Sequence, residues 1–268
     1  MSRARFWKMK IACVQMDIAF GKPELNFSKI ENYIEEGAMA GADVIVFPEM
    51  WNTAYALKHL GKLADKNGER TKQLLTSFAK KYNLNIVGGS VATKRDNQFF
   101  NTMYVANRFG QIVAEYDKAH LFKLMDEHLF MEPGSKINVF DLDDVTCGGI
   151  ICYDLRFPEW IRTHTLKGAN IMFIPAEWPQ KRIDHWQLLL QARAIENQCF
   201  IVAVNRVGSD PNNVFNGHSM VIAPWGQVLL SGETREGIYY VNLDLEEVAR
   251  VRKTIPVYQD RRTELYEI

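Results

Sequence analysis

The sequence predicts an α/β protein with mixed sheets, a four-layer αββα sandwich in which two sheets pack face to face and helices cover the outside. Three observations predict it. Short apolar runs of strand length alternate with stretches whose apolar residues recur at helical spacing. The segment Asn107-Arg108-Phe109-Gly110 interrupts that alternation with a hairpin signal, so antiparallel pairs mix with parallel ones. The composition, 47% hydrophobic and 24% charged, supports a large core and argues against a disordered or disulfide-stapled chain.

Taken in order, Met1 to Lys10 reads as a short basic arm and Lys10 to Asp17 as a buried strand. Phe27, Ile30, Ile34 and Ala38 fall on one face of a helix over Glu24 to Ala40, which Gly41 ends. A strand over Asp43 to Phe47 stops at Pro48. Leu74, Leu75, Phe78, Ala79 and Tyr82 mark a second helix, and Asn85 to Val91 returns to strand character. Phe100 to Ala106 and Gln111 to Tyr116 form the hairpin. Strands over Asn138 to Leu142 and Val145 to Cys152 then lead to a helix opened by Pro158, whose fixed φ suits a first helical position. Asn170 to Pro175, Asp184 to Asn197 and Cys199 to Asn205 read as strand, helix and strand. His218 to Ala223 and Gln227 to Leu230 flank the turn Pro224-Trp225-Gly226, followed by a strand over Ile238 to Leu243 and a helix around Leu245 to Arg252. There is no repeat, linker or low-complexity segment, so one domain over residues 1–268 is expected, with a tail from about 255 to 268.

Lys plus Arg equals Asp plus Glu, which leaves no basic balance to track a phosphate backbone; no nucleic-acid partner is expected. No run of roughly 18 apolar residues occurs, so no membrane span is expected and the protein reads as soluble. Cys13, Cys147, Cys152 and Cys199 have neither C-x-x-C nor zinc-like spacing, and a reducing cytoplasm is their natural setting.

Three segments place a reactive side chain just past a buried strand, where α/β proteins gather ligand sites. Glu49 follows Val44-Ile45-Val46-Phe47-Pro48 into a cleft poor in water, where desolvation would raise its pKa toward that of a useful base; the alternative is a solvated loop carboxylate or cap. Cys152 ends a strand before a tight connection and a helix, whose N–H groups and dipole would favour thiolate and receive an oxyanion; the alternative is a packing cysteine, as Cys13, Cys147 and Cys199 are read. Lys118, flanked by apolar residues, is either snorkelling to solvent or a fixed cation facing an anionic transition state.

Together, Phe47-Pro48-Glu49, Lys118-Ala119-His120-Leu121-Phe122 and Gly149-Ile150-Ile151-Cys152-Tyr153-Asp154-Leu155-Arg156-Phe157-Pro158-Glu159 resemble the nitrilase superfamily of carbon–nitrogen hydrolases. The likeness extends to Asn101-Thr102, Ala192-Arg193-Ala194-Ile195-Glu196-Asn197 and Gly217-His218-Ser219. Leu124-Met125-Asp126-Glu127-His128-Leu129-Phe130 and Ala176-Glu177-Trp178-Pro179 resemble its omega-amidase branch, particularly members associated with bacterial methionine salvage. The resemblance implies Cys152 as nucleophile, Glu49 as proton carrier, Lys118 at the oxyanion and Glu127 as a supporting carboxylate. It also implies substrate contacts from Tyr153, Arg156, Ala176 and Trp178. The implied reaction releases ammonia from 2-oxoglutaramate or 2-oxosuccinamate through a thioester, with no metal and no organic cofactor. The family usually shows Gly before the tyrosine where this chain has Ala54-Tyr55, so a different loop path is expected there. A homodimer is implied, formed through the helices after the Cys152 and Pro175 strands, with the tail crossing to the partner or folding on its own subunit.

Arg156 would either meet a substrate carboxylate or tie down the loop through Asp154 or Glu159. Three other readings stand beside this one: another amidase, carbamoylase or nitrilase specificity within the same superfamily, a papain-like enzyme pairing Cys152 with His120, His128, His164, His185 or His218, and a non-catalytic binding protein of the same fold.

Overall fold

A computed structural model of the chain describes residues 8–266. Of the basic arm, residues 1–7 lie outside that range, as do 267 and 268 of the tail. In chain order the elements are β1 (Lys8–Gln15), α1 (Pro23–Met39), β2 (Val44–Val46), α2 (Leu60–Leu63), β3 (Asp65–Lys66), α3 (Glu69–Tyr82), β4 (Asn85–Val87), β5 (Val91–Arg95), β6 (Gln98–Ala106) and β7 (Ile112–Asp117). The second half runs β8 (Val139–Leu142), β9 (Val145–Gly149), α4 (Pro158–Leu166), β10 (Ile171–Ala176), α5 (Ile183–Asn197), β11 (Phe200–Asn205), β12 (Val207–Ser209), β13 (Val214–Asn216), β14 (Met220–Ile222), β15 (Val228–Ser231), β16 (Gly237–Asp244) and α6 (Glu246–Thr254).

Two sheets hold all of these strands except β12 and β13, which pair as a separate ribbon. One follows the order β16-β1-β2-β4-β6-β5-β3, with β7 also on β6, and the other β15-β14-β11-β10-β9-β8. Side chains alternate across a strand, and here both faces are apolar. In β1 and β2, Ile11, Cys13, Val44 and Val46 face the second sheet's Cys147, Phe173 and Val202 in one core. Ala12, Val14 and Ile45 face the opposite way, onto Phe27, Ile30 and Ile34 of α1 and Leu75 and Ala79 of α3. On the far side of the second sheet, Ile161 of α4 and Trp186, Leu190 and Ala194 of α5 complete the shared core. The four layers expected from the sequence are therefore present. Each buried Val, Leu, Ile or Phe among them contributes roughly 1.5–3 kcal/mol, which fixes register, since a one-residue slip would exchange the two cores.

Three local expectations differ. The single strand read over Asn85 to Val91 is two strands, because Gly88-Gly89-Ser90 leaves the sheet to embrace the loop after β2. The strand read as far as Cys152 ends at Gly149, and residues Cys152–Arg156 form a 3-10 turn. The ribbon β12–β13 and the short α2 and β3 carried no signal strong enough to be read. The tail is tied to its own subunit at Ile255, whose carbonyl accepts from Gln198 at 2.7 Å, and at Tyr258, which donates to the Asn197 carbonyl. No helix among the described residues is long and apolar enough to cross a membrane.

Candidate active site

Glu49 is carried on the loop after β2, and that loop is held from beneath by the glycine break. Ser90 N–H donates to the Pro48 carbonyl at 3.1 Å, Ser90 Oγ accepts from Met50 N–H at 3.0 Å, and the Ser90 carbonyl accepts from Trp51 N–H at 3.0 Å. Gly89 has φ +60°, and a Cβ there would lie 2.0 Å from the Pro48 carbonyl oxygen, so only glycine permits the approach. Further along, Ala54 has φ 51°. The left-handed turn before Tyr55 is thus made by an alanine, at a local cost of about 1 kcal/mol that glycine would not incur.

Lys118 follows β7, where its N–H donates to the Asn101 carbonyl at 2.9 Å. Its Nζ donates to Glu49 Oε1 and to Glu127 Oε2, both at 2.8 Å, and to Tyr55 Oη at 3.1 Å. Lys118, Glu49 and Glu127 are all fully buried, which rules out a snorkelling lysine and a solvated loop carboxylate. Asn101 Nδ2 bridges the two acids, donating to Glu49 Oε1 at 2.8 Å and Glu127 Oε1 at 3.0 Å. Tyr55 Oη donates to Glu49 Oε1 at 2.8 Å, and Phe122 N–H donates to Glu127 Oε2 at 2.7 Å.

This cluster reverses one electrostatic expectation. Burial opposes the Glu49 charge, but Lys118 and the donors around it outweigh burial and hold its carboxyl below the usual range. Glu127, with burial and the nearby Glu49 acting against Lys118, is pushed up instead. Burial works against the Lys118 charge as well, yet Glu127 and Glu49 raise its pKa and keep it an ammonium. Sequence alone pointed to the wrong sign for Glu49, because the deciding cation lies 69 residues away.

Cys152 sits at the start of the 3-10 turn with φ 44°, a conformation most side chains avoid. Asp154 enforces the turn. Its carboxylate accepts from Ile151 N–H at 3.0 Å, from Tyr116 Oη at 2.7 Å and from His120 N–H at 2.9 Å, and contacts His120 Nδ1 at 2.7 Å. The buried Asp154 thereby links the cysteine loop to the segment that carries Lys118. The expected dipole effect is absent: α4 begins only at Pro158, and burial, followed by the charge of Glu49, pushes the Cys152 thiol well above its ordinary pKa. The resting sulfur therefore keeps its proton, and Glu49, whose charge acts directly on the thiol, is the carboxylate placed to take that proton.

Above the thiol is a small, narrow cleft lined by Tyr55, Phe122, Met125, Cys152, Tyr153, Arg156, Glu177, Trp178, Pro179 and Arg182. Tyr153, Arg156 and Trp178 are where the sequence placed them. Ala176 is not on this wall: it is the last, fully buried residue of β10, paired with Asn205, and its neighbours Glu177 and Trp178 turn to the cleft instead. Arg156 does not tie the loop through Asp154 or Glu159; it lies 4.9 Å over the Trp178 ring and reaches His185 Nδ1 at 3.2 Å. Glu177 and Arg182 were missed, although both sit in the segment flanking Trp178. Glu177 pairs with Arg206 at 2.8 Å, and burial still pushes its carboxyl up to about 8. None of the histidines lines the cleft, so the geometry offers Cys152 no imidazole partner. A wider groove around Asp43, Arg108 and Asp143 lies apart from this chemistry, and no cysteine lines it.

A profile of the carbon–nitrogen hydrolase family matches residues 10–253. Over 97% of its length the chain is 53% identical to the whole of the 2-oxoglutaramate amidase of Bacillus subtilis. It is 31% identical to the omega-amidase NIT2 of Homo sapiens, over 97% of each chain. In three dimensions it resembles a CN-hydrolase superfamily protein of Xanthomonas campestris solved with an arsenic adduct in its active site, with TM-score 0.89 and 28% identity, covering 97% of this chain and 99% of the other.

Proposed function

This chain belongs to the carbon–nitrogen hydrolase family, and we propose that it hydrolyses the terminal amide of a small 2-oxo dicarboxylic acid monoamide, 2-oxoglutaramate or 2-oxosuccinamate. The products are ammonia and the 2-oxo acid. One observation carries the reading: an ammonium, Lys118, is buried between two carboxylates beside a thiol that opens onto a small cleft. The substrate of the Bacillus subtilis relative, by its name, supports the choice of acyl chain.

The chemistry follows from the polarity of the cluster. A neutral thiol attacks an amide poorly unless its proton leaves as the bond forms. Glu49, held ionised, takes the Cys152 proton while the sulfur adds to the amide carbon. The resulting oxyanion is met by Lys118. Of the three Lys118 hydrogen bonds the one to Tyr55 Oη is the longest, 3.1 Å, and it is the one that can turn to the oxyanion without uncovering a carboxylate. Glu49 then passes its proton to the departing nitrogen, ammonia leaves, and a thioester remains. Water, deprotonated by Glu49, adds to the thioester carbon and the carbon–sulfur bond breaks, returning the proton to Cys152 and freeing the acid. Glu127 positions Lys118, while Tyr153, Arg156 and Trp178 border the acyl chain.

We read the protein as a single-domain cytoplasmic homodimer. Four buried free thiols fit a reducing compartment. Leu166 on α4 and Leu188 and Ile195 on α5, exposed by 46%, 68% and 53%, are the kind of apolar surface that a partner's helices would cover. A monomer at micromolar concentration by light scattering would overturn the dimer.

The activity is tested by ammonia release from a panel of 2-oxoglutaramate, 2-oxosuccinamate, glutamine, an aliphatic amide, an aliphatic nitrile and an N-carbamoyl amino acid. The two 2-oxo amides are expected to lead. Preference for the nitrile or the carbamoyl compound would overturn the substrate and leave the Glu49, Lys118 and Cys152 roles standing. Loss of the chemical step on a single His→Ala change would overturn those roles.

A further inference from the structure

We propose that Arg182, with Arg156, forms a two-guanidinium clamp on the wall of the Cys152 cleft that grips the carboxylate and adjacent keto oxygen of the substrate, and that Arg182 confers the preference for 2-oxo acid amides over neutral ones. The proposal rests on the amidase reading above and deepens it.

Both side chains line the cleft that contains the thiol. Among the described residues neither makes an ion pair with a carboxylate. Arg156 Nη2 meets only the ring nitrogen of His185, 3.2 Å away, and lies over Trp178. The Arg182 guanidinium lies 5.2 Å over the Phe122 ring. The contrast with Arg206 in the layer behind is direct: Arg206 is fully buried and bonded to both Glu177 and Asp17. Glu177 is the one acid on the cleft wall, and Arg206 occupies it, so it does not neutralise the two half-buried cations.

The pair is poised at some cost. Burial, and after it the positive charge of Arg156, both act against the Arg182 charge. Like charges brought together in a partly dry cleft without a counterion repel, and an anionic ligand removes that repulsion while gaining charge-assisted bonds. A 2-oxo carboxylate suits two planar forks, since its carboxylate and keto oxygens can lie in one plane and accept several N–H donors together. The backbone at Arg182 is pinned, its carbonyl accepting from Trp178 Nε1 at 2.7 Å, so the guanidinium is offered from a fixed base. Phe122, Met125 and Trp178 supply apolar walls for the methylene groups between the two ends.

Two measurements on full-length protein test this. The first is the ratio of kcat/KM for 2-oxoglutaramate to that for pentanamide, a neutral amide of the same chain length. Arg182→Gln should lower this ratio by about 10–100-fold, mostly through KM, and Arg182→Lys should recover part of it because charge returns without the fork. The second needs no turnover: protection of Cys152 from iodoacetamide by 2-oxopentanoate, which has the anionic head and no amide. Arg182→Gln should raise the protecting concentration about 10–100-fold. If Arg182→Gln leaves both the ratio and the protection unchanged, the clamp is overturned. If no amide releases ammonia but Arg182-dependent protection persists, the amidase reading fails and the clamp stands.

Discussion

The backbone N–H of Glu177 donates to Glu49 Oε2 at 2.8 Å across 128 residues of chain. Glu49 follows β2 in one sheet and Glu177 follows β10 in the other, so the face-to-face packing of the sandwich is completed at the reactive carboxylate itself. Its second oxygen is taken by Lys118, Tyr55 and Asn101. Four donors fix the base in position and charge before substrate arrives, and preorganisation of that kind lowers a barrier without reorganisation during the reaction.

Removing the central cation should expose what it restrains. In Lys118→Met, Glu49 and Glu127 face each other across Asn101 with no positive charge between them. Turnover should fall at least 10²–10³-fold, and folding stability near pH 8 should fall by about 3–5 kcal/mol. The pH dependence has a definite sign. Without Lys118 both carboxyls have folded-state pKa values above their unfolded ones, so their stability is intact below the unfolded pKa and lost as pH rises. The deficit should therefore shrink toward pH 5, as read by urea denaturation at both pH values; an equal deficit at each would refute the account.

A thiol raised by burial and by Glu49 should show no early ionisation. The rate of Cys152 alkylation by iodoacetamide should keep climbing through pH 9, and a plateau below pH 7 would show a preformed thiolate and contradict the structure. In Glu49→Gln, kcat should drop by about 10²–10⁴-fold, the range expected when a general base is lost. Mass spectrometry should find Cys13, Cys147 and Cys199 unlabelled in the native protein, since all three are buried with raised pKa values.

Gly89→Ala should displace the loop that carries Glu49. Left-handed backbone and a Cβ driven into the Pro48 carbonyl together cost about 2–4 kcal/mol, and a shift of the base on the order of 1 Å should lower kcat by about 10²-fold. Gly41 is the control: it also has positive φ, but a Cβ there meets nothing within 4 Å. Gly41→Ala should cost only about 1 kcal/mol and leave kcat unchanged, as thermal denaturation and steady-state assays would report.

Much of the fold was legible because periodicity is local: Ile11 and Cys13 against Ala12 and Val14 declare a strand with two apolar faces, and Pro158 declares a helix start. The three reactive residues were legible because each follows such a run. What could not be read depended on distant partners. The Gly88-Gly89 break looks like strand until Pro48 comes up beneath it. The sign of the Glu49 shift depends on Lys118, the turn at Cys152 on Asp154 receiving Tyr116 and His120, and the place of Glu177 rather than Ala176 on the cleft wall on where β10 ends. Arg182 resembled any other surface arginine in a Lys-Arg pair, and its missing counterion is visible only once the cleft is assembled.

Peroxide oxidises thiolates far faster than thiols. A sulfur that holds its proton at rest, covered by protein, gives an oxidant little to react with. Cys152 is most vulnerable in the interval of turnover when Glu49 has the proton and no acyl group yet covers the sulfur. The same buried carboxylate that makes the cysteine useful in turnover thus also disfavours its oxidation at rest.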